Sequence, residues 1–309
     1  MGRSGRVTLS DVAESAGVSR ATVSFVLNDD PRQTISPATR QRVMEAAREL
    51  GYVPHGIARA LREGSSRIVV LHVDRGMEGN FSRSYVRGLD EELAEHDHVL
   101  LVRYGRAVPE TTQKILDAIV PRAVLRLGEV YMQDHGPIQA DWEDSGFAAN
   151  AALQIGYLAE RGHTRVAMAV PDHEFPLTEA RLGFAQEAAR RLDLAPLRRF
   201  VVPRPRDAGA AAVEEFLAAH PEVTAVAAFD DDIALRTLTA LRDLGRSVPE
   251  DMAVMGFDET EYGSLSTPAL STVHIDAEVL GRLAARAALG IDRSGLAPVP
   301  GRIVVRASA

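Results

Sequence analysis

Acidic side chains gather at the ends of two predicted strands in the second half of the chain. Asp230, Asp231 and Asp232 follow the apolar stretch "TAVAAF", and Asp258 follows "MAVMGF". Arg181 is expected to open the helix after a third apolar stretch, "RVAMAV". Ligands of parallel sheets bind beyond the carboxyl ends of the strands. Carboxylates and a guanidinium there suit hydroxyl-rich or cationic ligands, so the pattern predicts a small-molecule site.

These residues also have plainer interpretations. One of the three consecutive aspartates has the position of a helix N-cap. The cluster is compatible with a metal site, but no histidine lies nearby in sequence, and we expect neither a metal nor another cofactor. His163 follows Gly162 in "RGHTRV" and is expected to be a structural turn residue rather than a catalytic base. The candidates for an aromatic ligand platform are Phe81, Tyr131 and Trp142.

Strands and helices alternate through the part of the chain that must hold this site. The predicted strands are 66–74, 98–105, 123–128, 165–170, 224–229 and 252–257, and the predicted helices are 84–96, 109–119, 145–161, 178–192 and 231–244. Strands that alternate with helices of about 10–15 residues predict doubly wound parallel sheets.

The first 53 residues contain signals for three short helices. Thr8 and Asp11 have the spacing of a capping box, and Gly17 is suited to close the helix that follows. Ser19 is placed to cap a second helix. The serine–proline pair at 36–37 opens a third helix, which is predicted to run to about residue 50.

The first two helices have the pattern of a helix-turn-helix. A small residue stands where the helices would cross (Ala13), and a turn residue follows four positions later (Gly17). The second helix carries the apolar anchors Val23, Val26 and Leu27. In this motif the N-terminal half of the second helix enters the major groove of DNA.

The polar side of the second helix has residue types that read DNA. Arg20 is suited to a guanine edge, and Ala21 and Phe25 are suited to thymine methyl groups. The hydroxyls of Ser19 and Thr22 are suited to phosphates. The predicted DNA contacts of the head are Thr8, Ser19, Arg20, Ala21, Thr22, Ser24, Phe25 and Asn28. The alternative is an ordinary solvated face, but an outward phenylalanine favours a partner.

Charge and composition restrict the class of protein. The net charge is −8, yet residues 1–66 carry nine arginines against seven carboxylates, so a basic head precedes an acidic body. The chain has no cysteine, which excludes disulfides and thiolate metal sites. Neither a secretory signal nor an apolar run of about 20 residues is evident. We therefore expect a cytoplasmic, nucleoid-associated protein without a membrane partner.

Several motifs in a fixed order resemble the lac-repressor/gal-repressor family of bacterial transcription regulators. They are "VTLSDVAESAGVSRATVSFVLND", "ISPATRQRVMEAARELGYVPHGIARALREG", "ERGHTRVAMAV", "ARLGFAQEA", "VPEDMAVMGFDET", "TPALSTVHID" and "RIVVRAS". The resemblance implies an all-α helix-turn-helix domain (1–53), a hinge (54–65) and an effector-binding and dimerisation domain (66–309). The last would be an α/β two-lobed domain like the periplasmic binding proteins. Its first lobe would span 66–146 and 276–292, and its second lobe 147–273 and 302–309.

The resemblance also assigns roles to particular residues. Two hinge helices would pair across a homodimer and push Leu61 into the minor groove, and the predicted hinge contacts are His55, Ala58, Arg59 and Leu61. The alternative is an ordinary linker. Arg181 and Asp258 match effector-contacting residues, and Asp230 stands where asparagine is common. Phe81, Arg181, Asp230 and Asp258 are the predicted effector contacts.

Two departures from the family pattern concern the effector site. The stretch 127–138 is too short for the strand–helix–strand unit expected there. Arg204 stands where the family often stacks an aromatic ring on a sugar. Both argue against a routine sugar effector.

The sequence thus predicts a transcriptional regulator, most often a repressor. It would bind a near-palindromic operator in double-stranded DNA as a homodimer, under control of a small-molecule effector such as a sugar or related metabolite. One alternative is a sugar-like ligand-binding protein without DNA regulation. An enzyme is disfavoured, since neither G-x-G-x-x-G nor G-x-S-x-G is present.

Overall fold

The computed structural model describes residues 7–27, 34–52, 65–73, 79–105, 109–127, 146–172 and 176–309. Two compact units divide the chain: Met1–Ser66 with Ile115–Val120, and Arg67–Lys114 with Pro121–Ala309. The described residues between 7 and 52, called the head below, contain three helices. Residues 67–309, called the body, contain the sheets.

The head's helices start and stop where local signals place them. They are α1 (Leu9–Ala16), α2 (Arg20–Leu27) and α3 (Pro37–Glu49). The capping box of Thr8 and Asp11 is present, and the Thr8 hydrogen bonds lower the pKa of Asp11. Gly17 has φ 65°, the left-handed region, while an added Cβ there would meet nothing within 4 Å. Backbone conformation, not lack of space, therefore favours glycine. Ser36 caps α3 by accepting from the Thr39 N–H at 3.2 Å, as predicted.

A small apolar core joins the three helices. It consists of Val12, Ala13, Ala16, Val23, Val26, Val43, Ala46 and Ala47. The predicted anchors Val23 and Val26 are buried, whereas Leu27 is half-buried at the edge of this core. The small side chain of Ala13 lies in the core, as the helix-turn-helix pattern requires.

In the described part of the first lobe, the body has a three-stranded parallel sheet with order β2–β1–β3. Its elements in chain order are β1 (Ile68–Val73), α4 (Asn80–Glu95), β2 (Val99–Tyr104), α5 (Pro109–Ile119) and β3 (Ala123–Arg126). The core on one face of the sheet includes Leu71 from β1 and Leu89 and Leu93 from α4. Ala285, from a helix near the C-terminal end of the chain, completes it.

The second lobe is a four-stranded parallel sheet with order β5–β4–β6–β7. Its elements are α6 (Phe147–Glu160), β4 (Val166–Val170), α7 (Pro176–Arg191), β5 (Arg198–Val201), α8 (Arg206–Ala219), β6 (Ala225–Ala228), α9 (Asp231–Asp243), β7 (Ala253–Met255) and α10 (Glu261–Leu265). Strands β4, β6 and β7 are buried along their whole length between two apolar clusters. This burial explains why their sequences are nearly continuous runs of apolar residues.

The last elements connect the lobes. β8 (Thr272–His274) pairs with β9 (Arg302–Val304) in antiparallel fashion, and α11 (Glu278–Leu289) lies between them in sequence and supplies Ala285 to the first-lobe core. The predicted fold class, a three-helix head and a two-lobed α/β body with parallel sheets, is confirmed. Within the described ranges, no helix is long and apolar enough to cross a membrane.

Candidate functional site

The three consecutive aspartates have three different environments. Asp230 is the N-cap of α9, since its Oδ1 accepts from the Ile233 N–H at 2.8 Å. Asp232 lies on the surface and pairs with Arg236 at 2.7 Å. The expectation that one member of the cluster caps a helix is confirmed, and it is the first.

Asp231, the middle member, is fully buried. Its carboxylate accepts from the Thr260 N–H at 2.7 Å and from the Thr272 hydroxyl at 2.6 Å. Burial raises its pKa, while these hydrogen bonds lower it. The contacts tie the start of α9 to the loop after β7 and to β8. Asp231 is therefore a positioning residue that was not among the predicted contacts.

Asp258 follows β7 and reaches across to the first lobe. Its φ is 86°, an uncommon conformation for a residue with a side chain. Its Oδ1 accepts from the Phe81 N–H at 2.5 Å, and its carbonyl accepts from the Asn80 N–H at 2.7 Å. Both donors lie in the first turn of α4. The sequence placed the start of this helix at residue 84, but the helix begins at Asn80 because its first turn is held by another part of the chain.

Burial and neighbouring carboxylates shift the pKa values of two aspartates at this site. Burial, together with the nearby Asp231 and Asp230, raises the pKa of Asp258 to about 8, although the Phe81 N–H and Arg181 lower it. Burial likewise raises the pKa of Asp230 to about 6. Both side chains nevertheless keep part of their surface accessible. The site therefore combines partly accessible hydrogen-bonding groups with a carboxyl group, Asp258, that keeps its proton up to about pH 8.

Arg181 lies among aromatic rings at the same end of the sheet. Its guanidinium carbon is 3.2 Å from the ring centroid of Phe257 and 5.7 Å from that of Phe229, and the side chain is buried. A cation over aromatic faces is stabilised electrostatically. Helix α7 begins at Pro176, so Arg181 lies in the second turn and does not open the helix as predicted.

Gln154 of α6 connects Arg181 to the strand ends. Its Nε2 donates to the carbonyls of Ala228, Met255 and Gly256, at 2.9, 3.2 and 3.0 Å. Its Oε1 accepts from Arg181 at 3.2 Å. Sequence reasoning missed this residue, although a single amide within the apolar run "AALQIGYLA" was a usable signal.

Phe81 is brought to the same site by α4. Its side chain is half-buried, packs against the second-lobe apolar cluster and stacks with Tyr85 at a centroid distance of 6.2 Å. The structure thus brings Phe81, Arg181, Asp230 and Asp258 together through direct contact or electrostatic influence. Tyr131, Trp142 and the stretch 128–138 lie outside the described residues, and Arg204 is exposed on the loop before α8.

His163 has the surroundings of a structural residue. Its Nδ1 is 2.9 Å from the Thr224 hydroxyl, and burial lowers its pKa. It follows Gly162, which has φ 91° at the end of α6. These contacts favour the turn interpretation over a catalytic base. No group of three possible metal ligands occurs within the described ranges.

The predicted DNA-contacting face of α2 is partly open to solvent. Ser19, Arg20 and Ala21 are exposed, whereas Thr22 is half-buried, as are Ser24 and Phe25. Phe25 therefore points less completely outward than expected.

Hydroxyl groups at the start of α2 already serve the helix. The Ser19 hydroxyl accepts from the Thr22 N–H at 3.1 Å and pairs with the Thr22 hydroxyl at 2.9 Å. Thr8 donates its hydroxyl to Asp11 at 2.8 Å. A phosphate would therefore compete with capping hydrogen bonds. Asn28, His55, Ala58, Arg59 and Leu61 lie outside the described residues.

Comparison with known proteins identifies the family. The profile "Bacterial regulatory proteins, lacI family" matches residues 8–55, and that of a periplasmic binding protein-like domain matches residues 155–309. The HTH-type transcriptional regulator CelR of Thermobifida fusca is 30% identical over 334 residues, covering 99% of this chain and 97% of its own length. The chain belongs to the lacI family of bacterial regulatory proteins.

Other lacI-family proteins align over most of the chain. The HTH-type transcriptional repressor CytR of Escherichia coli K12 is 28% identical and covers 89% of this chain and 86% of its own length. A solved CelR–cellobiose complex has a TM-score of 0.63 at 28% identity, with 98% of this chain and 100% of that chain covered. The lac repressor dimer bound to operator has a TM-score of 0.77 at 22% identity, covering 98% and 99%, and it supports the fold alone.

The family assignment applies to both the head and the body. The head described above is a lacI-type helix-turn-helix, and the body is periplasmic-binding-protein-like. The predicted resemblance is confirmed, and the relatives matched are transcriptional regulators. In this lacI-family chain, the four candidate effector residues lie where β6, β7 and α4 meet.

Proposed function

We propose that the protein represses transcription by binding a near-palindromic operator as a homodimer, under control of a small molecule bound between the lobes. The observation that carries this proposal is the contact of Asp258 with α4. A residue suited to hold a polar ligand also joins the two lobes in a chain with a lacI-type head. A ligand that binds Asp258 can therefore change the arrangement of the two lobes.

The head supports sequence-specific DNA binding. Arg20 is exposed in the first turn of α2, where it can donate two hydrogen bonds to a guanine edge in the major groove. The hinge residues 54–65, including Leu61, are proposed to enter the minor groove on the basis of family resemblance.

Exposed apolar surfaces support a homodimer. On β2, an edge strand of the described sheet, Val99 is 63% and Leu101 46% exposed. On α10, Tyr262 is 68% and Leu265 73% exposed. Contiguous exposed apolar side chains mark interaction surfaces, and an unpaired edge strand invites association. We propose that a second copy covers both surfaces.

The chemistry of the effector site favours a hydroxyl-rich ligand. The carboxyl groups of Asp230 and Asp258 can hydrogen-bond hydroxyls, and the Phe81 side chain offers an apolar surface beside them. CelR, a relative, has been solved with cellobiose. A sugar or related metabolite is therefore the proposed effector class. Regulation of transcription also places the protein in the cytoplasm with the nucleoid, and we propose no enzymatic activity.

Selection of bound sequences from a random double-stranded DNA library tests this function. We expect the full-length protein to enrich a near-palindrome with a flexible pyrimidine–purine step at its centre. The enriched operator then serves to screen sugars for release or tightening. Absence of any enriched sequence, alone and with the sugars that bind, would favour the alternative of a ligand-binding protein without DNA regulation.

A further inference from the structure

Helix α4 of the first lobe lacks a cap of its own. Its N-cap residue, Gly79, has no side chain to accept a hydrogen bond. The acceptor comes from the second lobe, because Asp258 Oδ1 receives the N–H of Phe81, the second residue of the helix. A capping side chain normally bonds the N–H at this position.

The fit between the helix end and Asp258 is close. A Cβ added to Gly79 would overlap the Asp258 carboxylate. Beside it, Asn80 donates its backbone N–H to the Asp258 carbonyl at 2.7 Å and its side-chain amide to the Ile275 carbonyl at 2.8 Å. The absence of a side chain at Gly79 is thus what admits the carboxylate.

The loop that carries Asp258 is anchored to the connection between the lobes. Glu259 pairs with His274 of β8 at 2.5 Å and with Arg306, just beyond β9, at 2.6 Å. Thr260 donates to the buried Asp231. Movement of Asp258 relative to α4 therefore acts on a loop that is fixed to β8 and to the start of α9.

We propose that Asp258 is a helix cap supplied across the cleft, which holds the first lobe against the second. This cap does not depend on the proposed function, and it is tested without any effector.

The distance between the lobes can be measured directly because the chain has no cysteine. Asp90 on α4 and Glu215 on α8 are exposed, and D90C and E215C accept a spin-label pair for distance measurement by pulsed electron paramagnetic resonance. In this labelled background we compare Asp258→Ala, Asp258→Asn and Gly79→Ala. The matched control is Gly156→Ala, a helical glycine whose added Cβ would meet nothing within 4 Å.

The two disruptive variants should separate the lobes. Asp258→Ala removes the acceptor and Gly79→Ala fills its space, so we expect the distance distribution to shift or broaden by about 2 Å or more. Asp258→Asn retains a carbonyl oxygen that accepts the Phe81 N–H, so its distribution should match that of the unsubstituted chain, as should that of Gly156→Ala.

Unchanged distributions in Asp258→Ala and Gly79→Ala would overturn the proposal, as would equal effects of the alanine and asparagine variants at position 258. Should Gly79→Ala fail to fold, the contrast between alanine and asparagine decides. The random-DNA selection is run separately on the unsubstituted protein. Failure to enrich an operator in that selection would refute the proposed function and would leave the conclusion from the distance measurement unchanged.

Discussion

The side-chain amide of Gln154 hydrogen-bonds both the guanidinium of Arg181 and backbone carbonyls at the ends of two strands. The amide oxygen lies 3.2 Å from the Arg181 Nη2, and the amide nitrogen donates to three backbone carbonyls. Since Gln154 is fully buried, nothing in the solvent replaces these hydrogen bonds. The orientation of a candidate effector contact thus depends on a residue of another helix.

Replacing Gln154 with leucine should destabilise the body. Buried groups left without partners cost about 1–3 kcal/mol, so we expect the free energy of unfolding to fall by about 2 kcal/mol. Denaturant unfolding measures this change. Gln186→Leu, an exposed position on α7, is the control and should change stability by less than about 0.5 kcal/mol. Equal effects of the two substitutions would contradict the role given to Gln154.

The stability of the body should depend on pH through Asp258. Its pKa rises on folding from 3.8 to about 8, so the folded state binds more protons than the unfolded state between these values. The free energy of unfolding should therefore fall as pH rises through this range, and level off above it. Asp258→Asn removes the effect, so the free energy of unfolding of the variant should exceed that of the unsubstituted protein by a margin that grows with pH. We expect this margin to reach on the order of 2 kcal/mol, since one pKa unit corresponds to about 1.4 kcal/mol and partial solvent access reduces the total.

Chemical unfolding of Asp258→Asn between pH 4 and pH 8.5 measures this dependence. The exposed Asp90→Asn is the matched control and should show no growing difference. A difference between Asp258→Asn and the unsubstituted protein that stays constant over the whole range would exclude a raised pKa at Asp258.

The turn between α1 and α2 should require glycine for its backbone conformation. Since Gly17 has φ 65°, alanine there should destabilise the head by about 1–2 kcal/mol. Asparagine tolerates this conformation better and should cost less. Hydrogen exchange of the α1 and α2 amides, followed by mass spectrometry, reports on the head separately from the body. A faster exchange in Gly17→Asn than in Gly17→Ala would argue against this explanation.

Substitution of Arg20 should change which DNA is selected. A bidentate contact to guanine contributes about 1–3 kcal/mol of discrimination, so Arg20→Ala should relax one position in each half-site of the enriched sequence. Arg48→Ala, in the last turn of α3, is the control and should leave the selected sequence unchanged. An identical selected sequence for Arg20→Ala and the unsubstituted protein would remove Arg20 from the base-reading residues.

The exposed face of β2 should control association. Replacing Val99 and Leu101 together with serine removes apolar contacts at the proposed dimer surface, and we expect dimerisation to weaken about tenfold or more. Sedimentation equilibrium measures this change. Val201→Ser, at a partly exposed apolar position on β5, should leave association unaltered. A dimer of undiminished stability in the double variant would place the interface elsewhere.

Features that depend on neighbours in sequence were predictable, and those that depend on distant residues were not. The caps at Thr8 and Ser36 follow from local hydrogen bonding and the turn at Gly17 from local backbone conformation, and all three were identified. The first turn of α4 was missed because its cap, Asp258, lies 177 residues from Phe81. No local pattern encodes that contact.

Polar residues inside the body were the other difficulty. Asp231 and Asp230 are adjacent and chemically identical, yet one is fully buried and the other caps a helix with part of its surface accessible. The role of Asp231 is decided by Thr260 and Thr272, which only the fold brings near. Arg181 was expected to open its helix but lies in the second turn, and its stacking on Phe257 depends on side-chain packing that periodicity does not describe.

The core of the head has a consequence for the order of folding. All its members lie between Val12 and Ala47, and its helices are capped by residues no more than three positions from their partners. Domains with such local contacts fold in microseconds to milliseconds, much faster than sheets whose strands meet across long stretches of chain. As the ribosome makes the chain from its N-terminus, we expect the head to be complete before the second lobe exists. In the proposed homodimer, the two heads would therefore be folded before their bodies associate.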